Sequence, residues 1–296
     1  MDKISILVNK AKISFGINKV KYLLGNNYNI KFDIINTIKK YFNKFENSEY
    51  AIENDLESNF KINDNDINFR KWQLLEISEH LDFTDELKLK SKSVFTKLLE
   101  TQFYELAFSE IVSTINILNQ DLAIEMNDSL NKFFYDDNIT ISFGDYDLKT
   151  MIKNIKVNLF KYNMIMNEYD LSYNNKIIMQ ILIARAVARK TLDKKYLVVL
   201  EIPTITKEIV DEIKKIKEQN ISIIVASNDE KLKDINVNDV VYIGKNIIDL
   251  ADEVEIYNKI LLNLEKQSTI EEVLCNFNNY LNENEQNIDP KFLEII

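Results

Sequence analysis

Residues 25 to 32 read Gly-Asn-Asn-Tyr-Asn-Ile-Lys-Phe, the frame of a loop that cradles phosphates. Such a loop, G-x-x-x-x-G-K-[ST], lies between a strand and a helix. Its backbone N–H groups hold phosphate oxygens, its Lys neutralises them and its hydroxyl holds Mg²⁺. Gly25 and Lys31 stand at the required spacing, whereas Ile30 replaces the second Gly and Phe32 the Ser/Thr. Close backbone approach and the metal hydroxyl are both missing. Glu201 ends the apolar run from Leu197 to Leu200, where a carboxylate would reach Mg²⁺ or water from the end of a buried strand. Two readings stay open: a nucleotide site using Lys31 and Glu201, or a scaffold that keeps only its outline.

Other side chains suggest different chemistry. Asp121, Glu125 and Asp128, spaced by four and three, share one face of a helix. Their mutual repulsion needs solvent or a cation, and hard oxygen ligands suit Ca²⁺. Lys149, Lys153 and Lys156 repeat at i, i+4, i+7, and between Leu148 and Asn167 there are four Lys and no acid. Residues 1 to 45 hold nine Lys against Asp2 and Asp33. Lys10, Lys12, Lys19 and Lys21 of that run, together with the later trio, are the candidates for backbone phosphate contacts on DNA. Arg185 and Arg189 offer a further basic pair.

The elements that must position these groups read as an α/β core. Ile4 to Val8, Lys12 to Phe15 and Val20 to Leu24 are expected strands, and the last leads through the loop into a helix marked by Ile34, Ile35, Ile38 and Phe42. Gln73 to Ile77, "YLVVLE" (196–201), "ISIIVA" (221–226) and "VVYI" ending at Ile243 continue the sheet. A helix from about Thr206 to Gln219 should join two parallel strands. From about Asp85 to Lys190 the period becomes helical, including Ile152, Ile155, Leu159 and Tyr162, interrupted by "ITISF" (139–143). The expected domains are therefore an α/β head of residues 1–84 and 191–250, a helical leg of 85–190, and a C-terminal helical extension of 251–296. Ser268 and Glu271 fit a capping box at the start of its helix.

Composition narrows the function. A single Cys275 and a single His80 leave almost no material for a disulfide, a His/Cys zinc site or Ser-His catalysis. No apolar run approaches the roughly 20 residues that span a bilayer, so a soluble cytoplasmic protein is expected. The net charge of −10 argues against indiscriminate nucleic-acid binding. Charges beyond about 8 Å are screened at physiological salt, so local distribution decides.

Two resemblances follow from these passages. "LSYNN" (171–175) with "ILIARAVA" (181–188), Glu201 and "IIVASND" (223–229) is similar to the signature, Walker B and switch segments of ABC ATPases, with Asn228 where that family has His. "YLLGNNYNIKFDIINTIKKYF" (22–42), "ILNQDLAIEMNDSL" (117–130) and "KKYLVVLEIPTITKEIVDEIKKI" (194–216), in that order, resemble the Csn-two family, the CRISPR-associated adaptation proteins of type II-A systems. The resemblance covers roughly residues 1 to 250 and fits the longer forms of the family. It implies a degenerate P-loop ATPase-like head without ATPase activity, an inserted helical leg, and a homotetrameric ring stabilised by Ca²⁺. It further implies a lysine-lined channel around double-stranded DNA, threading over ends, and partnership with the CRISPR adaptation integrase and the Cas effector nuclease. Under it, Asp121, Glu125 and Asp128 are the Ca²⁺ candidates. Gly25, Lys31 and Glu201 become inherited scaffold, with no nucleotide expected.

Overall fold

A computed structural model describes residues 2–8, 11–42, 60–83, 93–131, 140–161, 164–264, 268–284, 288 and 292. The chain divides into two compact units, Met1–Leu81 with Leu171–Ile296, and Asp82–Asp170.

The first unit holds two sheets. Strands β1 (Asp2–Val8), β2 (Ala11–Ile17) and β4 (Phe60–Ile62) form an antiparallel sheet ordered β2-β1-β4. The larger sheet uses β3 (Val20–Leu24), β5 (Trp72–Ser78), β8 (Lys195–Glu201), β9 (Ile221–Ala226), β10 (Val240–Ile243) and β11 (Ile247–Asp249). Its order is β11-β10-β3-β9-β8-β5, parallel except for β11 at the edge. All six residues of β9 are buried, and in β8 the five from Tyr196 to Leu200 are. Such continuous burial is what interior strands of a parallel sheet require.

Helix α1 (Tyr28–Phe42) buries Lys31, Ile34, Ile35, Ile38, Tyr41 and Phe42, an i, i+3, i+4, i+7 stripe. That stripe shares one core with Ile4, Ile6 and Phe15 of the small sheet and Leu23, Leu197, Val199 and Ile224 of the large one. Helix α5 (Tyr173–Lys190) buries Ile177, Gln180, Ile181, Ala184, Val187 and Ala188 at the same period. The Gln180 amide also donates to the Ser78 carbonyl at 2.8 Å, tying α5 to β5. This helix therefore belongs with the sheet, not the leg, which ends at Asp170 rather than Lys190. Helix α6 (Lys207–Lys214) is the crossover between parallel β8 and β9. The C-terminal helices α7 (Glu253–Lys259) and α8 (Ile270–Leu281) also belong to this unit. The capping box of α8 is made by Thr269 and Glu272, one residue beyond the expected pair. Phe277 packs on Tyr242 at 5.5 Å between ring centres, so the extension completes the core beside β10.

The second unit contains α2 (Val94–Phe103), the long α3 (Leu106–Asn131), α4 (Leu148–Asn154) and a hairpin of β6 (Leu159–Lys161) and β7 (Met164–Met166). Among the described residues, Phe83, Val94, Ala123, Met151 and Ile152 are its buried apolar ones. The helical reading through Leu159 is corrected: α4 stops at Ile155 and extended chain follows. The 140–147 segment, where the helical period is interrupted, is irregular. It is held to α3 by Asn127, whose side chain bonds both backbone groups of Ile141, and by Asn116, which accepts from the Tyr146 amide.

Candidate functional site

The loop after β3 leads directly into α1, and several of its backbone donors are already engaged. Gly25 has φ +109°, and a Cβ there would lie 2.3 Å from the Ile243 carbonyl oxygen. Only glycine tolerates that position. The Gly25 amide donates to the Glu230 carbonyl and the Asn27 amide to the Ile243 carbonyl. The Ile30 amide donates to the Asn27 side chain, which caps α1. A polar depression of about 380 Å³ above the loop is lined by Asn26, Asn27, Tyr28, Asn29, Gly244 and Lys245.

Lys31 is buried, and its ammonium donates to the Ser227 carbonyl at 2.9 Å and the Asp229 carbonyl at 3.1 Å, with the Tyr28 ring beneath it. Burial lowers its pKa to about 8, against the opposing pull of Asp229 and Glu230. The segment after β9 thus occupies the Gly25 amide and the Lys31 ammonium. It is fastened in turn by Tyr280 of α8, whose hydroxyl donates to the Glu230 carboxylate.

Glu201 lies across β9 from the loop. The register Leu23, Ala226, Glu201 puts it two strand spacings away, about 10 Å. Its partner is not Lys31 but Lys39, two turns along α1, which bridges Glu201 at 2.5 Å and Glu76 at 3.4 Å. Burial disfavours the Lys39 ammonium, but the bonds to Glu201 and Glu76 outweigh it and hold the group above its usual range. Ser172 of the signature-like passage is the N-cap of α5, accepting from the Asn175 amide.

The candidate DNA contacts separate sharply. Lys21 is corrected from a DNA contact to a core residue: it is 2 % exposed, pairs with Asp249 at 2.5 Å, and donates to the Asn238 carbonyl. Asp249 also accepts from the Gly16 amide, so the pair is held from three segments. Lys19 is exposed and donates to the Ile216 carbonyl, and Lys12 faces Asp64 at 4.0 Å. Lys10 lies outside the described residues. Arg185 and Arg189 are bound to Glu212 and Glu218. Lys149 and Lys153 are exposed on α4, and Lys156 is exposed on the extended chain beyond it, not on the helix.

Asp121, Glu125 and Asp128 are exposed along α3. Among the described residues no three His, Cys, Asp or Glu side chains group closely enough to hold a metal ion. The same helix exposes Ile111, Ile117, Leu118, Leu122 and Ile124. At 3.6 residues per turn these five side chains fall on one broad side of α3, with the buried Ala123 on the other.

No family model matches this chain, and no curated protein does. Among solved structures, the crystal structure of Stu0660 of Streptococcus thermophilus is similar in fold, with a TM-score of 0.68 and 16 % identity over 96 % of this chain and 94 % of that one. The likeness therefore extends over both units and the C-terminal helices.

Proposed function

We propose that this chain is a non-enzymatic duplex-DNA-binding protein of the Csn-two type. It would assemble as a homotetrameric ring and act in CRISPR spacer acquisition beside the adaptation integrase and the effector nuclease. The observation that carries the reading is the exposed, acid-free lysine segment of the second unit in a chain of net charge −10. Phosphate contacts need positive charge close by, and here it is placed where no carboxylate of the same segment neutralises it. The fold likeness over nearly the whole chain supports the family, because the family resemblance rests on the order of segments rather than on any short motif.

A scaffold without ATPase activity is supported by the engaged loop amides, by the bonding of Lys31 to two backbone carbonyls, and by the pairing of Glu201 with Lys39. Ring assembly is supported by the exposed apolar residues of α3, which would be covered by further copies. In that assembly Asp121, Glu125 and Asp128 gain their cation: Ca²⁺, drawing further oxygens from neighbouring chains or water, relieves the repulsion of the stripe. No helix among the described residues is long and apolar enough to cross a membrane, in keeping with a cytoplasmic role.

The discriminating experiment is retention of the purified chain on linear and covalently closed circular duplex of one sequence, with Ca²⁺ and with chelator. Preferential, calcium-dependent retention of the linear form is expected; equal retention of both, or none, overturns the ring. The alternative, a P-loop ATPase using Lys31 and Glu201, is favoured by the central strand–loop–helix. Micromolar ATP binding abolished by Lys31→Ala would establish it instead.

A further inference from the structure

The second unit exposes apolar side chains on two backgrounds of opposite charge. Helix α3 carries Glu110, Asp121, Glu125 and Asp128 and no Lys or Arg. The β6–β7 hairpin lies within the stretch from Leu148 to Asn167 that has four Lys and no acid. The hairpin has strands of three residues, too few for independent stability in water. Its register sets Phe160 directly opposite Ile165, so the two side chains share a face. They are 67 % and 72 % exposed. Lys149, Lys153 and Lys156 are exposed on the elements leading into it.

An apolar, aromatic face that follows exposed cations along the chain fits a polyanion that itself presents an apolar surface. The interior of a duplex does not, because its bases are stacked on both sides. The end of a duplex does: the terminal base pair leaves one π-face in water, with phosphates on either side. We propose that the Phe160–Ile165 face of this hairpin packs on the terminal base pair of double-stranded DNA while Lys149, Lys153 and Lys156 hold the adjoining phosphates. This rests on the DNA-binding reading above and gives it an end-recognising element that threading alone does not supply. Stacking of a base on an aromatic side chain is sequence-tolerant, since every base has such a face.

The test compares the full chain with its Phe160→Ala/Ile165→Ala variant on two duplexes of one sequence. One is blunt-ended with 2-aminopurine in the terminal pair; the other is closed at both ends by hairpin loops that cover the terminal faces. The wild type is expected to change the terminal 2-aminopurine emission and to bind the open duplex about 5- to 10-fold more tightly than the closed one. The variant should lose the emission change and fall to its closed-duplex affinity on both, with an unaltered salt slope, because the lysines remain. A variant that keeps the emission change and the open-end preference overturns the proposal. So does a variant whose assembly breaks to a smaller species by light scattering with equal loss on both duplexes, which assigns the face to a second copy. If the wild type retains neither duplex, the DNA-binding reading itself fails, a result distinct from either of these.

Discussion

Lys21, Lys31 and Lys39 of the first unit and Lys149, Lys153 and Lys156 of the second meet opposite fates. In the first unit Lys21, Lys31 and Lys39 turn inward onto Asp249, the Ser227 and Asp229 carbonyls, and Glu201 with Glu76. Arg185 and Arg189 are taken up by Glu212 and Glu218. In the second unit Lys149, Lys153 and Lys156 stand exposed, with Asp147 close to Lys149. Counting cations along the chain points to the N-terminal region as the basic one; counting exposed cations in a stretch free of acids points to residues 148–156. For phosphate binding the second count matters, since a cation already neutralised by a buried carboxylate offers no field to a ligand.

The largest effect expected from breaking this contrast is at Lys21. Lys21→Met leaves Asp249 charged and buried without its partner, which costs about 3–5 kcal/mol. Urea denaturation should show it, while DNA retention by the folded fraction stays at the wild-type level. Gly25→Ala comes next. It forces a side chain into a backbone conformation reserved for glycine and against the Ile243 carbonyl, and the strain alone is about 1–3 kcal/mol. At Lys39 the carboxylates are part-exposed, so Lys39→Ala should cost only about 1 kcal/mol in a thermal or denaturant melt.

Lys31 gives the most distinctive signature, in pH. Its folded pKa of about 8 lies below the ordinary 10.5. Below pH 8 both states carry the proton, and burial of the charge weighs against folding in full. Between about 8 and 10.5 only the unfolded state holds it, so the contribution of this group to stability rises with pH. The difference in unfolding free energy between wild type and Lys31→Met should therefore shift toward the wild type across that window. A constant difference would mean that Lys31 is not titrating as a buried amine.

Much of the scaffold was legible because it is local. The strand ending at Leu24, the loop and the stripe of α1 follow from alternation and a 3.6-residue period. The fate of Lys21 was not, because its partner Asp249 is 228 residues away and nothing near Lys21 announces burial. Lys39 was likewise invisible, since its meaning lies in Glu76 and Glu201 on two adjacent strands. The hairpin left little signal, since strands of three residues each, Leu159–Lys161 and Met164–Met166, are too short to show an alternation. The accidental spacing of Ile152, Ile155, Leu159 and Tyr162 matched a helix and masked it.

The measurement that bears most directly on the contrast is the salt dependence of duplex binding by the wild type and by Lys149→Ala/Lys153→Ala/Lys156→Ala. Each phosphate contact contributes about 0.9 to the slope of log affinity against log salt. The triple variant should lose roughly 2.7 from that slope per bound chain. It should melt with the wild type, since exposed substitutions rarely move stability by more than about 0.5 kcal/mol. An unchanged slope, with affinity intact, would contradict the assignment of DNA binding to the second unit.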